Sequence, residues 1–208
     1  MEENEGKSKI PVKPIVAGLF ILAAVSALAY AGYVYHRNSQ RDEALAWARQ
    51  SIELRSKFDF NFPSNEYTKH FSTTMKMDGA CSIQLVYLSG FRLSGNGMDD
   101  YTTCGLNLGW LSPSAVKVSK DAESTRDPVF IDIVGNSLEG TWAIWLTTSP
   151  PKELKCTTHM VTANDVIPVG PFLDARLPIF MQDEEGADRT ASALKTAIRL
   201  CGGKDEPF

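Results

Sequence analysis

The feature that most constrains this chain is an uncharged run of 21 residues near its N-terminus, from Ile15 to Tyr35. A bilayer core about 30 Å thick needs roughly 20 helical residues, so the run is long enough to cross it. Within lipid the backbone has to satisfy its own hydrogen bonds, which favours a helix. The sequence therefore predicts a transmembrane helix over residues 14–35, after an N-terminal cytoplasmic tail of residues 1–13.

A cleaved secretory signal is the alternative interpretation of the same run. Signal peptides have an apolar region of about 7–15 residues that ends at a small-x-small cleavage site. The run here is longer, and residues 33–37 offer no such site. Tyr30, Tyr33 and Tyr35 crowd its end, as an interfacial aromatic belt does. A retained anchor is therefore favoured.

The direction of the predicted span does not follow from charge. Basic residues lie on both sides of it, at Lys7, Lys9, Lys13, Arg37, Arg41 and Arg49. The positive-inside rule consequently gives no clear answer. A cytoplasmic N-terminus and a periplasmic C-terminal domain are chosen because the cysteines suit an oxidising compartment.

The four cysteines, Cys81, Cys104, Cys156 and Cys201, are widely spaced. No two lie at the short spacing of zinc ribbons or redox dithiols. An even number of such cysteines beyond a membrane segment favours two structural disulfides. Four buried free thiols in a cytosolic domain are the alternative.

Residues 36–58 contain no Pro or Gly and are rich in helix formers. Ala44, Trp47, Ala48 and Ile52 recur at helical spacing, so this segment is predicted to continue the membrane helix to about Lys57, with Trp47 in the packed face. One helix of more than 40 residues, roughly 65 Å long, results.

Residues 59–208 are predicted to form one globular α+β domain capable of disulfide bonding. Strands are predicted from the alternation in SAVKVSK, at Val129–Val134 and in TWAIWLTT, with turns at Asp127-Pro128 and Gly135-Asn136. The segment PKELKCTTHMV is expected to be a short helix, residues 164–178 a loop, and Arg189–Leu200 a helix stopped by Gly202-Gly203. The predicted fold is a long N-terminal helix, half spanning the membrane and half packed, against an antiparallel sheet, with short C-terminal helices.

This layout resembles the type IV pilins and pseudopilins. The run from Gly140 to Val161 looks like the type IVb stretch in which a strand leads into a cysteine-bearing helix, and Ala193–Gly203 resembles the site of the family's second D-region cysteine. The resemblance implies the disulfides Cys156–Cys201 and Cys81–Cys104.

One departure from the pilin pattern concerns the cleavage signal, which places a Glu five residues into the mature chain. The comparable site here is Gly18, and Ala23 stands where the Glu is expected.

Small residues at Ala23, Ala27 and Ala31 share one face of the membrane helix, which permits close helix packing.

The remaining residue patterns favour no catalytic, cofactor or metal site. His36, His70 and His159 are scattered, and no cysteine or serine carries a catalytic signature. Gly90–Gly97 lacks the Lys-Ser/Thr ending of a phosphate loop, and the acidic clusters at Asp99-Asp100 and Asp183–Glu185 lack calcium-loop spacing. A net charge of −4 without a basic cluster argues against nucleic acid.

The sequence thus predicts a non-enzymatic, single-pass subunit of a bacterial inner membrane, without a cofactor. Its partners are expected to be the lipid bilayer, other envelope, pilus or secretion subunits, and copies of itself. An exposed Trp142 or Trp145, expected on opposite faces of one strand, would mark an interface, although a sheet buried on both faces is equally consistent. The alternative is a membrane-tethered periplasmic adaptor that does not polymerise.

Overall fold

The computed structural model describes residues 12–62, 67–93, 96–120, 141–147, 154–161, 166–174 and 176–205, with the side chains of the first helix from Ile21 onward. The chain divides into two compact units, Met1–Ser39 and Gln40–Phe208. The predicted strand at residues 129–134 and its flanking turns lie outside the described residues.

The first helix, α1, spans Val12–Arg55 and is 44 residues long, as its continuous pattern of helix formers predicted. It ends where the Ser56 hydroxyl donates to the Ile52 carbonyl at 2.6 Å and the Thr73 amide donates to the Ser56 carbonyl. The first strand therefore begins at Lys57, two residues after the helix. Within the described part of the chain, no helix meets the length and apolarity that crossing a bilayer requires.

The packed face of α1 differs from the predicted one. Leu45, Ala48 and Ile52 are buried, whereas Trp47 is 40% exposed. The prediction that Trp47 belongs to the buried face is wrong. The buried face is centred on Leu45, Ala48 and Ile52, so Trp47 lies at its exposed side.

A six-stranded antiparallel sheet forms most of the second unit, in the order β1-β2-β3-β4-β7-β8. Its strands are β1 Lys57–Phe62, β2 Tyr67–Met77, β3 Ser82–Leu93, β4 Asn96–Asn107, β7 Leu154–Val161 and β8 Val166–Asp174. Alternate residues of β2 and β3, such as Met75 and Leu85, are buried, because the pleat turns every second side chain to the core.

The second sheet has three antiparallel strands in the order β5-β6-β9. They are β5 Lys117–Lys120, β6 Trp142–Thr147 and β9 Arg176–Met181, and two short 3-10 helices, Leu108–Trp110 and Pro113–Ala115, precede β5. The strand predicted in TWAIWLTT is confirmed over Trp142–Thr147. The strand predicted in SAVKVSK is confirmed over Lys117–Lys120 only, since Ser114 and Ala115 belong to the second 3-10 helix.

The core lies between the two sheets and the helices that pack on them. Phe71 of β2 meets Phe180 of β9 edge to face at 5.5 Å between ring centroids. The Tyr87 hydroxyl of β3 donates to the Pro178 carbonyl of β9 at 2.8 Å. Because each contact joins strands of different sheets, these side chains fix how the sheets lie against each other.

The second helix, α2, spans Glu184–Leu200 and packs on the second sheet and on both 3-10 helices. It confirms the predicted C-terminal helix and begins five residues before Arg189. Gly202, with φ of 91°, follows its C-terminus, since that backbone conformation is easily reached only by glycine.

Two local predictions are wrong. Within the segment PKELKCTTHMV, residues Leu154–Val161 form β7 rather than a helix, because their alternation lets them pair with β4. Residues 164–178 contain β8 and the start of β9 rather than a loop, and Pro168 and Pro171 are accommodated since β8 is an edge strand. The fold is nevertheless α+β with antiparallel sheets, as predicted.

Candidate functional site

Both pairs of cysteines form disulfides, as predicted, but the predicted pairing is wrong. The bonds are Cys81–Cys201 and Cys104–Cys156, instead of Cys156–Cys201 and Cys81–Cys104. Cys104 and Cys156 face each other across β4 and β7, with Cα atoms 4.2 Å apart. Because Cys156 is on a strand, it is directed at β4 and not at the end of α2.

The Cys81–Cys201 bond joins the turn before β3 to the residue that follows α2, with Cα atoms 5.6 Å apart. The Cys81 carbonyl accepts a hydrogen bond from Leu108 of the first 3-10 helix, and the Cys201 amide donates to Ala197. Three segments that are distant in sequence therefore meet at this bond.

The two disulfides differ in burial. Cys104 and Cys156 are 1% and 5% exposed, whereas Cys81 and Cys201 are only partly buried. The residues before Cys81, from Asp78 to Ala80, are exposed, as are Gly202 and Lys204. Solvent therefore reaches one bond far more readily than the other.

The C-terminal half of α1 and the helix α2 are joined by polar contacts. The Ser51 and Thr190 hydroxyls are 2.7 Å apart and buried, and Arg55 donates to both carboxylate oxygens of Asp183, at 2.7 and 2.8 Å. Ser51 contacts Thr190, whereas Arg55, later in α1, contacts the earlier Asp183, so the two helices run antiparallel. Both bonds to Asp183 are donated by Nη1 of Arg55, and charge-assisted bonds of this kind are shorter and stronger than neutral ones.

Asp183 also caps α2. Its carboxylate accepts the Gly186 amide at 2.7 Å, and this bond is the main cause that lowers the pKa of Asp183 from its usual 3.8. Partial burial acts in the opposite direction, and Arg55 lowers the pKa further. Asp183 is therefore held ionised while it joins the N-terminus of α2 to the C-terminus of α1.

A second carboxylate holds the C-terminal segment. The amide of Ser114 donates to Asp205 at 2.7 Å, and the Ser114 amide and hydroxyl lower the pKa of Asp205. The Gly203 amide donates to Ile198 at 2.9 Å. These contacts and the Cys81–Cys201 bond fix the chain beyond α2.

An open groove of about 320 Å³ lies between α1 and α2. We call it the helix-pair groove; its lining residues are Ala44, Trp47, Arg189, Ser192, Ala193 and Thr196. Four of these lining side chains are small, and the indole of Trp47 is 40% exposed. Trp and Arg are the two lining residue types that are enriched at protein interfaces.

The other residues singled out from the sequence are spread over the molecule. His70 lies on β2 and His159 on β7, where the His159 ring stacks on Tyr101 at 4.6 Å. Asp99 and Asp100 lie on β4, apart from Asp183 at the start of α2. Among the described residues, no group of three His, Cys, Asp or Glu side chains is placed to hold a metal ion.

The tryptophans of β6 are both half-buried. Trp142 and Trp145 pack partly against the core, and the Trp145 indole N–H donates to the Ser119 hydroxyl at 3.0 Å. Neither forms a large exposed surface. Ala23, Ala27 and Ala31, predicted to pack in the membrane, are exposed on α1.

Sequence reasoning did not find the residues that join the helices. Arg55, Ser51 and Thr190 lie on helical segments whose partners are more than 120 residues away. Asp183 carried a local signal, since an Asp three residues before Gly186 at a helix start is a typical N-cap. The ion-pair partner of Asp183, which is Arg55, could be identified only from the folded structure.

No protein-family model, curated protein or solved structure matches this chain.

Proposed function

We propose that this chain is a non-enzymatic single-pass membrane protein, whose disulfide-bonded domain makes protein–protein contacts on the oxidising side of the membrane. The observation that carries the proposal is the exposure of large apolar side chains on several sides of α1. Ile21, Leu22, Leu28, Tyr30 and Tyr35 are 65–78% exposed. At about 100° per residue they point in different directions, and a helix apolar all round is covered by lipid or by protein.

Lipid is the proposed cover for this part of α1. The uncharged run begins at Ile15, and six of its 21 residues precede Ile21, where the description of side chains starts. Charged residues are absent from the run until Arg37. The full run therefore has the length that a bilayer core needs.

The disulfides support placing the domain outside the cytoplasm. All four cysteines of the chain are paired, and such bonds persist in oxidising compartments but are rare in the cytosol. With the N-terminal tail in the cytoplasm, one span brings the domain to that side.

The helix-pair groove is the proposed contact site. Trp47 offers a large, rigid apolar surface. Arg189 beside it pairs with Glu185 of its own helix at 2.7 Å and is 63% exposed, so a carboxylate of a partner can also reach its guanidinium. A partner helix with small and acidic residues fits this combination of shape and charge.

The tethered adaptor is favoured over the pilin-like filament subunit. Cys156 lies on a strand and bonds to Cys104, so neither of the local features behind the type IVb resemblance has the arrangement that the resemblance implied. The long, half-packed N-terminal helix is the part of the resemblance that still favours a filament subunit.

Fractionation of cells that express the full chain tests membrane anchoring. We expect the protein to stay in the membrane pellet after alkaline carbonate extraction and to dissolve only in detergent. A Leu22→Arg, Leu28→Arg variant should lose this retention, whereas Arg49→Ala, outside the run, should keep it. Release of the unaltered protein by carbonate would contradict the proposal, and its recovery in sheared filaments would favour the pilin-like alternative.

A further inference from the structure

We propose that the Cys81–Cys201 disulfide is a redox-sensitive latch on the C-terminal end of α2, while Cys104–Cys156 is a permanent cross-link of the sheet. The two bonds are nested in sequence, with separations of 120 and 52 residues. Breaking the outer bond therefore leaves β4 and β7 joined.

The first basis for the inference is access. An attacking thiolate has to approach one sulfur of the bond, and the rate depends on that access. Cys81 follows three exposed residues, and Cys201 precedes the exposed Gly202. Cys104 and Cys156, in contrast, are almost completely buried in the core.

The second basis is what the bond holds. Cys201 directly follows α2, and the groove residues Ser192, Ala193 and Thr196 lie within the last nine residues before it. The other end of α2 is held independently, by Asp183 and Arg55. Opening of the bond consequently removes the covalent attachment at the C-terminal end of α2, where Ala197 and Ile198 remain packed in the core, and leaves the contacts of its N-terminal end in place.

The exchange needs a dithiol reductant. One thiolate of the reductant attacks a sulfur of the bond, the other cysteine leaves as a thiolate and takes up a proton, and a mixed disulfide forms. The second thiol of the reductant then displaces the protein sulfur. The reductant is oxidised to a disulfide, and the protein gains two thiols.

The effect of the latch is on the helix-pair groove, and this part rests on the proposed function of that groove. With the bond closed, the wall formed by α2 has a fixed position beside Trp47. With the bond open, the end of that wall is held by noncovalent contacts, namely the core packing of Leu194, Ala197 and Ile198 and the hydrogen bond between Asp205 and Ser114. A partner that needs a preformed groove then binds more weakly.

Stepwise reduction of the full-length protein in detergent tests the order of opening. Samples are treated with rising dithiothreitol, quenched with a maleimide and analysed for labelled cysteine peptides. We expect Cys81 and Cys201 to be labelled at least about tenfold faster than Cys104 and Cys156, since access controls exchange. Equal rates, or faster labelling of the sheet cysteines, would overturn the proposal.

Hydrogen exchange of the partly reduced protein tests the latch itself. Amides of residues 196–203 should exchange at least about fivefold faster than in the oxidised protein, while those of residues 186–191 stay unchanged. Unchanged exchange at both ends would show that the bond is no latch. A Cys81→Ser, Cys201→Ser variant should reproduce the reduced state, and the wild-type labelling decides the question if that variant does not fold. Neither measurement depends on a membrane or a partner, so the outcome is separate from that of the proposed function.

Discussion

Single side chains determine how α2 is attached at each of its ends. At the N-terminal end, Asp183 accepts from both the Gly186 amide and the Arg55 guanidinium. At the C-terminal end, Gly203 lies so close to Leu111 that an added Cβ would be 2.6 Å from the Leu111 carbonyl oxygen. Both attachments are local, and each is open to a test by one substitution.

Replacement of Asp183 by Ala removes the helix cap and leaves Arg55 without its partner. The ion pair is more than a third exposed, so solvent screens it and most of the effect comes from the cap. We expect a loss of about 1–2 kcal/mol of unfolding free energy, measured by urea denaturation. Glu184→Ala, at the next and exposed position, should change stability by less than about 0.5 kcal/mol.

The same carboxylate gives a pH dependence. The pKa of Asp183 is lower in the folded chain than its usual 3.8, so its contribution is complete above that value and is lost as the pH falls through the folded pKa. The stability difference between wild type and Asp183→Ala should therefore shrink below about pH 4. A difference that stays constant from pH 6 to pH 3 would contradict this assignment.

Gly203→Ala tests the close approach at the other end of α2. The nearest atoms include the backbone oxygen of Leu111, which a flexible side chain cannot relieve, so the chain has to shift. We expect a destabilisation of about 1–3 kcal/mol in thermal or urea unfolding. Gly105→Ala is the control, because nothing lies within 4 Å of its added Cβ; a cost as large as that of Gly203→Ala would refute the steric explanation.

The elements of the fold are joined by disulfides and by helix packing, and the inner disulfide supports the sheet most directly. Cys104–Cys156 connects the neighbouring strands β4 and β7, and its two cysteines are 52 residues apart in sequence. In the chain-entropy account a loop of this size contributes about 4 kcal/mol.

A Cys104→Ala, Cys156→Ala variant should accordingly lose about 2–4 kcal/mol of unfolding free energy under oxidising conditions. The small side chain avoids placing a polar group in the core. Reduction should lower the unfolding free energy of wild type towards that of a chain without disulfides. The unfolding free energy of the variant should also fall on reduction, because the variant still contains Cys81–Cys201. A variant as stable as wild type would show that the bond contributes nothing.

The helix-pair groove gives a prediction about binding at the scale of the two helices. A photo-crosslinker at Ser192 should capture a partner in cells. Trp47→Ala should reduce that crosslink about 5- to 30-fold, which corresponds to an indole anchor that contributes about 1–2 kcal/mol of binding free energy. Leu54→Ala is the matched control, since Leu54 is 66% exposed on α1 and does not line the groove. Equal crosslinking in both variants would remove the groove as the contact site.

Elements with a strong local pattern were predictable from the sequence, and pairings between distant segments were not. The length of α1 follows from a continuous stretch of helix formers, and α2 from a periodic segment with a glycine stop. The strand β7 was misassigned because Pro151 suggested a helix start, while the partner that makes Cys156 part of a sheet lies 52 residues away. The wrong disulfide pairing has the same cause, since it depends on which strand neighbours β4.

At the scale of the whole molecule, one helix belongs to two different environments. Residues 21–35 of α1 expose apolar side chains, whereas Leu45, Ala48 and Ile52 of the same helix are buried in the core of the disulfide-bonded domain. Both segments belong to one continuous helix, Val12–Arg55. In the proposed tethered adaptor, the first segment is the anchor and the second is part of the domain.

Compartment-resolved thiol labelling tests this account most directly. Cells expressing the full chain, with any outer permeability barrier removed, are treated with a membrane-impermeant maleimide before and after an impermeant reductant. Before reduction, we expect no cysteine to be labelled, even when the protein is denatured. After reduction, we expect Cys81 and Cys201 to be labelled in intact cells. Thiols that react without reductant, and only once the inner membrane is broken, would contradict the central claim.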